Sequence, residues 1–171
     1  MIEIREERPE DYPAVRFINE QAFGQPQEAD LIDALRRVCD DLVSLVAVAD
    51  GRPVGHVLFS PATIEAPGDV IRGMGLAPMA VLPEYQRRGI DSMLVGKGIE
   101  KLRDASCPFV IVLGHADYYP RFGFEPASKH HLRPQWEGIP DEAFMVLILD
   151  EAVMQGAAGV ARYMDEFGAA M

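Results

Sequence analysis

The chain has 171 residues and a formal net charge of −11, with 49% apolar and 25% charged residues. That length supports one well-cored domain rather than two. The acidic balance argues against nucleic acid or an anionic membrane as the main partner, because phosphate binding needs a basic surface. Only Cys39 and Cys107 occur, far apart and without a CxxC, so neither a zinc site nor a disulfide framework is indicated and no metal is expected. The segment MIEIREERPEDY has no apolar h-region and no apolar run reaches bilayer length, which reads as a cytoplasmic protein.

In chain order, IEIREE alternates and predicts a first strand. RPEDYPAVRFINEQAF follows as an amphipathic helix with Val15, Ile18 and Ala22 on one face and acids at its start. GQPQ breaks it, and EADLIDALRRV gives a second helix with Leu31, Leu35 and Val38 on one apolar face. LVSLVAVADGRPVGHVLFSPATIE is the clearest hairpin, because two apolar runs flank the tight-turn pair Asp50-Gly51. VIRGMGLAPMAVLP reads as a long strand whose Gly73, Gly75 and Pro78 mark a bulge or a close backbone approach. GIDSMLVGKGIEKLRDAS is a helix with Met93, Leu94 and Leu102 inward. FVIVLG is a buried central strand, ADYYPRFGF a short helix stopped near Gly123, and EAFMVLILDE a late strand. The intervening ASKHHLRPQWEGIP is polar and loop-like, and the last twenty residues carry mixed signals that assign no element. Both periodicities occur, so the fold class is mixed α and β.

PEYQRRGID joins the long strand to the following helix. A strand, a proline stop, a short loop and a helix start make a possible anion site, since the first N–H groups of a helix lack intrahelical partners and its N-terminus carries partial positive charge. Gly89 lets the backbone approach a ligand closely, and Arg87 and Arg88 add charge-assisted donors. A solvated surface loop with a capping Asp91 fits the same letters equally well.

The neighbouring residues add to this. MAVLPEYQRRGI resembles the acetyl-CoA signature of the GNAT family of N-acetyltransferases: an apolar strand, then Pro-x-Tyr/Phe, then Gln/Arg-x-x-Gly-x-Gly/Ala, matched by Pro83, Tyr85, Gln86 and Gly89. Downstream, YYPRFGF resembles the family's Tyr-x-Arg/Lys-x-Gly-Phe element through Tyr119, Arg121, Gly123 and Phe124. GHVLFSP and LGHADYYPRFGF look like the family's YhbS-like branch. At Asp91 the chain departs from the family, which has Gly or Ala there.

The resemblance implies a GNAT fold over residues 1–150, with a mixed, mostly antiparallel twisted sheet, a splayed strand pair and helices on both faces. The tail, 151–171, is expected to pack on the same domain or on a partner chain in a homodimer. The implied activity is acetyl transfer from acetyl-CoA to a primary amine of a small molecule or protein, by direct attack in a ternary complex. Backbone groups of Met79, Ala80 and Val81 would hold the pantetheine arm, and Gln86 is a further cofactor-binding residue of the motif. The N–H groups of Arg87, Arg88, Gly89, Ile90, Asp91 and Ser92 would hold the pyrophosphate. Tyr119 matches the family's general acid, with Tyr118 as the fallback; a phenol of pKa about 10 suits a thiolate leaving group. The strand VIRGMGLAPMAV carries no acid, so amine deprotonation is expected through water, with His115 as the nearest candidate base. His56, His130 and His131 are weaker candidates, and Arg72 could equally pair with an acidic acceptor group or face solvent. A CoA-binding or interaction module without catalysis is the other reading.

Overall fold

The computed structural model describes residues 1–169. The chain divides into two units, neither of them a continuous stretch: the first comprises residues 1–59, 77–101 and the segment from 165, and the second comprises 60–76 and 102–164.

In the first unit, β1 (Ile2–Glu6) lies antiparallel to β2 (Val43–Ala49), which continues into the first half of β3 (Arg52–Ala66). Ala49 faces Arg52 across the turn, and Asp50 and Gly51 both have positive φ, 51° and 77°. This is the backbone that a two-residue hairpin requires. Helices α1 (Tyr12–Phe23) and α2 (Gln27–Val38) bury Val15 and Ile18, and Ala29, Leu31, Ile32 and Leu35, respectively. Gly24, left-handed at φ 69°, ends α1. Val38 is 58% exposed rather than inward, because it is the last residue of α2. The end of β4 (Asp69–Val81) also belongs to this unit, hydrogen-bonded through Leu82 N–H to Val54 O at 2.9 Å.

Helix α3 (Ile90–Asp104) begins in the first unit and buries Ile90, Leu94, Val95 and Ile99 there. Met93 is 42% exposed and corrects the sequence expectation. At 3.6 residues per turn the buried arc through Ile90, Leu94, Gly98, Val95, Ile99 and Leu102 leaves residue 93 on the far side, whatever its hydrophobicity. Gly98 lies on that arc against the ring of Phe59, and a Cβ at Gly98 would overlap it.

In the second unit, β4 pairs with β5 (Phe109–Leu113) in a short parallel ladder, Met74–Leu76 against Val110–Val112. Beyond β5 the order is β8 (Phe144–Ile148) and then β6 (Glu125–Pro126), both antiparallel. The remaining strands are β7 (Leu132–Pro134) and β9 (Gly159–Arg162); β9 runs parallel to β7 and antiparallel to Thr63–Glu65 of β3. Helix α4 (Glu151–Met154) is a single turn capped by Asp150. The YYPRFGF segment forms a 3-10 turn, Tyr119–Phe122, that stops at Gly123 with φ 99°. Among the described residues the sheet is mixed and mostly antiparallel, helices flank it, and no helix is long and apolar enough to cross a membrane.

Two glycines on α3 make a matched test. Gly96 is exposed and a Cβ there meets nothing within 4 Å, whereas Gly98 faces Phe59. Gly96→Ala is expected to raise stability by up to about 1 kcal/mol through helix propensity. Gly98→Ala is expected to lower it by about 1–2 kcal/mol, because overpacking outweighs the same propensity gain. Urea unfolding of the two variants beside the wild type checks the opposite signs.

Candidate functional site

Proline dictates the start of the strand-to-helix junction. Pro83–Tyr85 forms a 3-10 turn directly after β4, and Gln86 then turns its amide back so that Nε2 donates to Val81 O at 2.9 Å. The Gln86 amide therefore satisfies the last carbonyl of β4. Arg87 and Gly89 both adopt left-handed backbone, φ 64° and 78°, and a Cβ on Gly89 would meet only open space. Left-handed residues in a short loop turn backbone N–H groups toward one concavity, the geometry of an anion nest. The first α3 bond runs from Met93 N–H to Gly89 O at 3.1 Å, so the N–H groups of Ile90, Asp91 and Ser92 precede the helical ladder. Arg88 lies over the Tyr85 ring at 5.1 Å, and both arginines are exposed. The residues fit a diphosphate: bare backbone, forward-facing donors and two cations.

Asp91 modifies that cradle. Its Oδ1 accepts from Ser92 N–H at 2.9 Å, so the chain's own carboxylate engages one of the donors. No ion pair joins Asp91 to Arg87 or Arg88 among the described residues. Met79 is half-buried, and Ala80 and Val81 are buried at the end of β4.

In the second unit, Tyr119 is 7% exposed and opens the 3-10 turn, with its N–H directed to His115 O at 3.4 Å. Its ring meets Tyr118 and Phe124 edge-on, at 5.0 and 5.6 Å between centroids. Gly114 makes room for it, since a Cβ there would come within 2.5 Å of the ring. Tyr118 is half-buried beneath Arg121, 4.3 Å from its ring centre.

The sequence did not reveal Tyr163. This phenol is buried, and its hydroxyl donates to Leu76 O at 3.0 Å and to Ile111 O at 3.3 Å. Its ring lies on Gly75, where a Cβ would be 2.5 Å away, and stacks on Trp136. Gly75 therefore marks a close approach rather than a bulge, and so does Gly73, whose Cβ would meet the Phe109 ring at 2.6 Å. Register between β4 and β5 is unbroken over Met74–Leu76. Glycines inside a strand signalled that something lies close; nothing in the tail named the partner.

His115 is exposed after β5 and engages Tyr118 and Tyr119 through its backbone carbonyl. His130 pairs with Glu125 at 3.1 Å, His131 is exposed at φ 61°, and Arg72 is exposed on β4. His56 is fully buried in the first unit. Arg36 and the Ser44 hydroxyl both donate to Glu7 Oε2, at 2.7 and 3.0 Å. With the Ser44 proton committed there, His56 Nε2–H donates to Ser44 Oγ at 2.8 Å, and bare Nδ1 faces Asn19 Nδ2 at 3.5 Å. Burial, with the Arg36 charge second, lowers the His56 pKa to about 3. His56 is thus a neutral core member. No group of three or more His, Cys, Asp or Glu side chains able to hold a metal occurs among the described residues.

The family model for the acetyltransferase (GNAT) domain matches residues 3–127. The chain belongs to the GNAT acetyltransferase family. This GNAT-family chain is 42% identical over 134 residues to the uncharacterized N-acetyltransferase YjhQ of Escherichia coli K12, covering 77% of this chain and 74% of that one. It is 34% identical over 165 residues to the uncharacterized N-acetyltransferase YhbS of the same organism, covering 96% and 97%. The crystal structure of Escherichia coli YhbS in complex with CoA superposes with a TM-score of 0.89, covering 98% of this chain and 92% of that one at 34% identity. A GNAT family acetyltransferase from Brucella melitensis in complex with acetyl-CoA gives 0.78 at 32% identity, covering 98% of both chains.

Protonating buried His56 opposes folding. Its folded pKa, about 3, lies below the ordinary value of 6.5, so the unfolded chain binds the extra proton first. Stability is complete above pH 6.5 and declines as pH falls toward 3. About 2 kcal/mol is expected to be lost between pH 7 and pH 5 from this group, on the order of what linkage gives for such a shift. Urea unfolding across that range checks it, and a His56→Gln variant, less stable at pH 7, is expected to show a flatter slope.

Proposed function

We propose that this GNAT acetyltransferase moves an acetyl group from acetyl-CoA to a primary amine of a small molecule or protein, in the cytoplasm, by direct attack within a ternary complex. The observation that carries the reading is the Gln86–Gly89 loop, with its left-handed Arg87 and Gly89 ahead of the N–H groups that open α3 before its helical ladder begins. The pyrophosphate of the donor binds the N–H groups of residues 87 to 92 and the side chains of Arg87 and Arg88. The backbone of Met79, Ala80 and Val81 pairs with the pantetheine arm as an added strand would, and polarises the thioester carbonyl. The amine nitrogen forms a bond to the acetyl carbon as the carbon–sulfur bond breaks, and Tyr119 gives the departing thiolate its proton. The amine's own proton leaves through water, since β4 carries no acid between Val70 and Val81. The net charge of −11 favours cationic acceptors such as polyamines, aminoglycosides or lysine side chains.

Asp91 supports a second reading, a CoA-binding module without catalysis, because its carboxylate already engages Ser92 N–H. An amine-library screen reading thiol released from acetyl-CoA separates the two: turnover with any amine establishes the enzyme, and a melting shift without turnover favours the module. Binding at a hundredfold excess over Kd adds about 2.7 kcal/mol of stability. No heat and no melting shift at millimolar acetyl-CoA sinks both.

Two substitutions test the residue roles. Tyr119→Phe is expected to lower kcat with acetyl-CoA affinity little changed, as for a group acting only in the transition state; full turnover in that variant removes the assignment. Asp91→Gly is expected to tighten acetyl-CoA binding several-fold, most at low salt, because a carboxylate near a pyrophosphate in a half-exposed loop costs on the order of 1–2 kcal/mol. Calorimetry on wild type and variant at two salt concentrations reads the difference, and equal affinity at low salt makes Asp91 a helix cap only.

A further inference from the structure

Tyr163 lies on the first residue past β9, far along the chain from every motif that identified the family. Four contacts fix it. Its N–H donates to Gln135 Oε1 at 2.6 Å, its ring stacks on Trp136 at 5.9 Å and 25°, the ring covers Gly75, and the hydroxyl reaches Leu76 O and Ile111 O. Those two carbonyls belong to neighbouring strands. In a parallel ladder, Leu76 opposite Val112 is served by the carbonyl of residue 111 and by the N–H of residue 113. The Leu113 N–H also acts on the phenol oxygen. The hydroxyl is therefore set into the final rung of the ladder, where it shares one proton between carbonyls of both strands. Burial first, and Tyr119 second, raise this phenol's pKa far above the ordinary range.

A rung formed by a side chain cannot propagate, because the next backbone pair has no hydroxyl to repeat it. The stretch of β4 paired with β5 ends at Leu76, while the strand itself runs on to Val81. We propose that Tyr163 is a positioning residue for acetyl-CoA: its hydroxyl fixes where the β4–β5 ladder stops and leaves the backbone of Met79–Val81 to the pantetheine arm. This rests on the acetyltransferase reading above, and makes residues after 151 part of the working unit rather than an appendage.

The test is calorimetry of acetyl-CoA binding by wild type and Tyr163→Phe, well below the melting temperature of either, with apo melts and steady-state kinetics alongside. Phenylalanine keeps the ring on Gly75 and removes only the hydroxyl. The expected result is a Kd about tenfold higher in Tyr163→Phe, a matching rise in KM for acetyl-CoA, and kcat at saturating donor within about twofold of wild type. A variant that melts lower yet binds acetyl-CoA as tightly as wild type overturns the proposal and leaves Tyr163 a packing residue. Wild type that does not bind acetyl-CoA overturns the acetyltransferase reading and this inference together. Should Tyr163→Phe not fold, Trp136→Leu keeps the hydroxyl but removes the stacking partner that aims it. The same rise in Kd is expected there, and an unchanged Kd overturns the proposal.

Discussion

Aromatic rings laid directly on bare backbone are the constraint on which much of the structure depends. Phe109 lies on Gly73, Tyr163 on Gly75, Phe59 on Gly98 and Tyr119 on Gly114, and at each contact even a methyl group would collide with the ring. Packing at interior density leaves no slack to absorb such a collision. Tyr119 and Tyr163 are thus placed by what their neighbours lack. Seated this way, Tyr163 brings its hydroxyl to two strand carbonyls, Leu76 O and Ile111 O.

The first unit relies on a different device, a carboxylate-centred interior. Glu7 gathers Arg36, the Ser44 hydroxyl and, through Ser44, neutral His56, while Arg5 and Asp11 form a bidentate pair of 2.7 and 3.0 Å beside it. Burying these groups is tolerable because each has a partner, Arg36 and Ser44 on Glu7, His56 on Ser44 and Arg5 on Asp11. The Asp11 carboxyl is held below its usual range first by its Arg5 hydrogen bond, against burial and with help from the Arg8 N–H. Removing one member would leave the others buried and unmatched, which costs more than the pair itself contributes.

Much of this was legible in the letters. Periodicity located β1, α1, α2, the β2–β3 hairpin, α3 and β5 because each is long enough, or bounded by strong enough turn residues, for local chemistry to decide it. The same reasoning misjudged Met93 and Val38, where hydrophobicity was taken for direction and helix phase or helix end decided instead. It missed β7 and β9, which have three and four residues and no alternation, since they exist only through their pairing with each other and with β3. At the candidate site the turn after β4 was readable from Pro83 and Gly89, but left-handed Arg87 was not, because an arginine adopts that backbone only when its surroundings impose it. Tyr163 was invisible for a related reason: Gly75 recorded the contact, and eighty-odd residues separate it from the ring.

The Asp91 carboxylate on the Ser92 N–H has a kinetic meaning on the proposed reading. An anion tethered within the loop is present at a fixed effective concentration that no dilution lowers. An incoming diphosphate must exchange with it rather than fill an empty cradle, and a departing one is replaced as it leaves. The tether keeps the donors oriented between turnovers and shortens the residence of whatever phosphate occupies them. Spent CoA carries the same pyrophosphate as the fresh donor, so this internal rival acts on both alike and speeds the clearing of product for the next acetyl group.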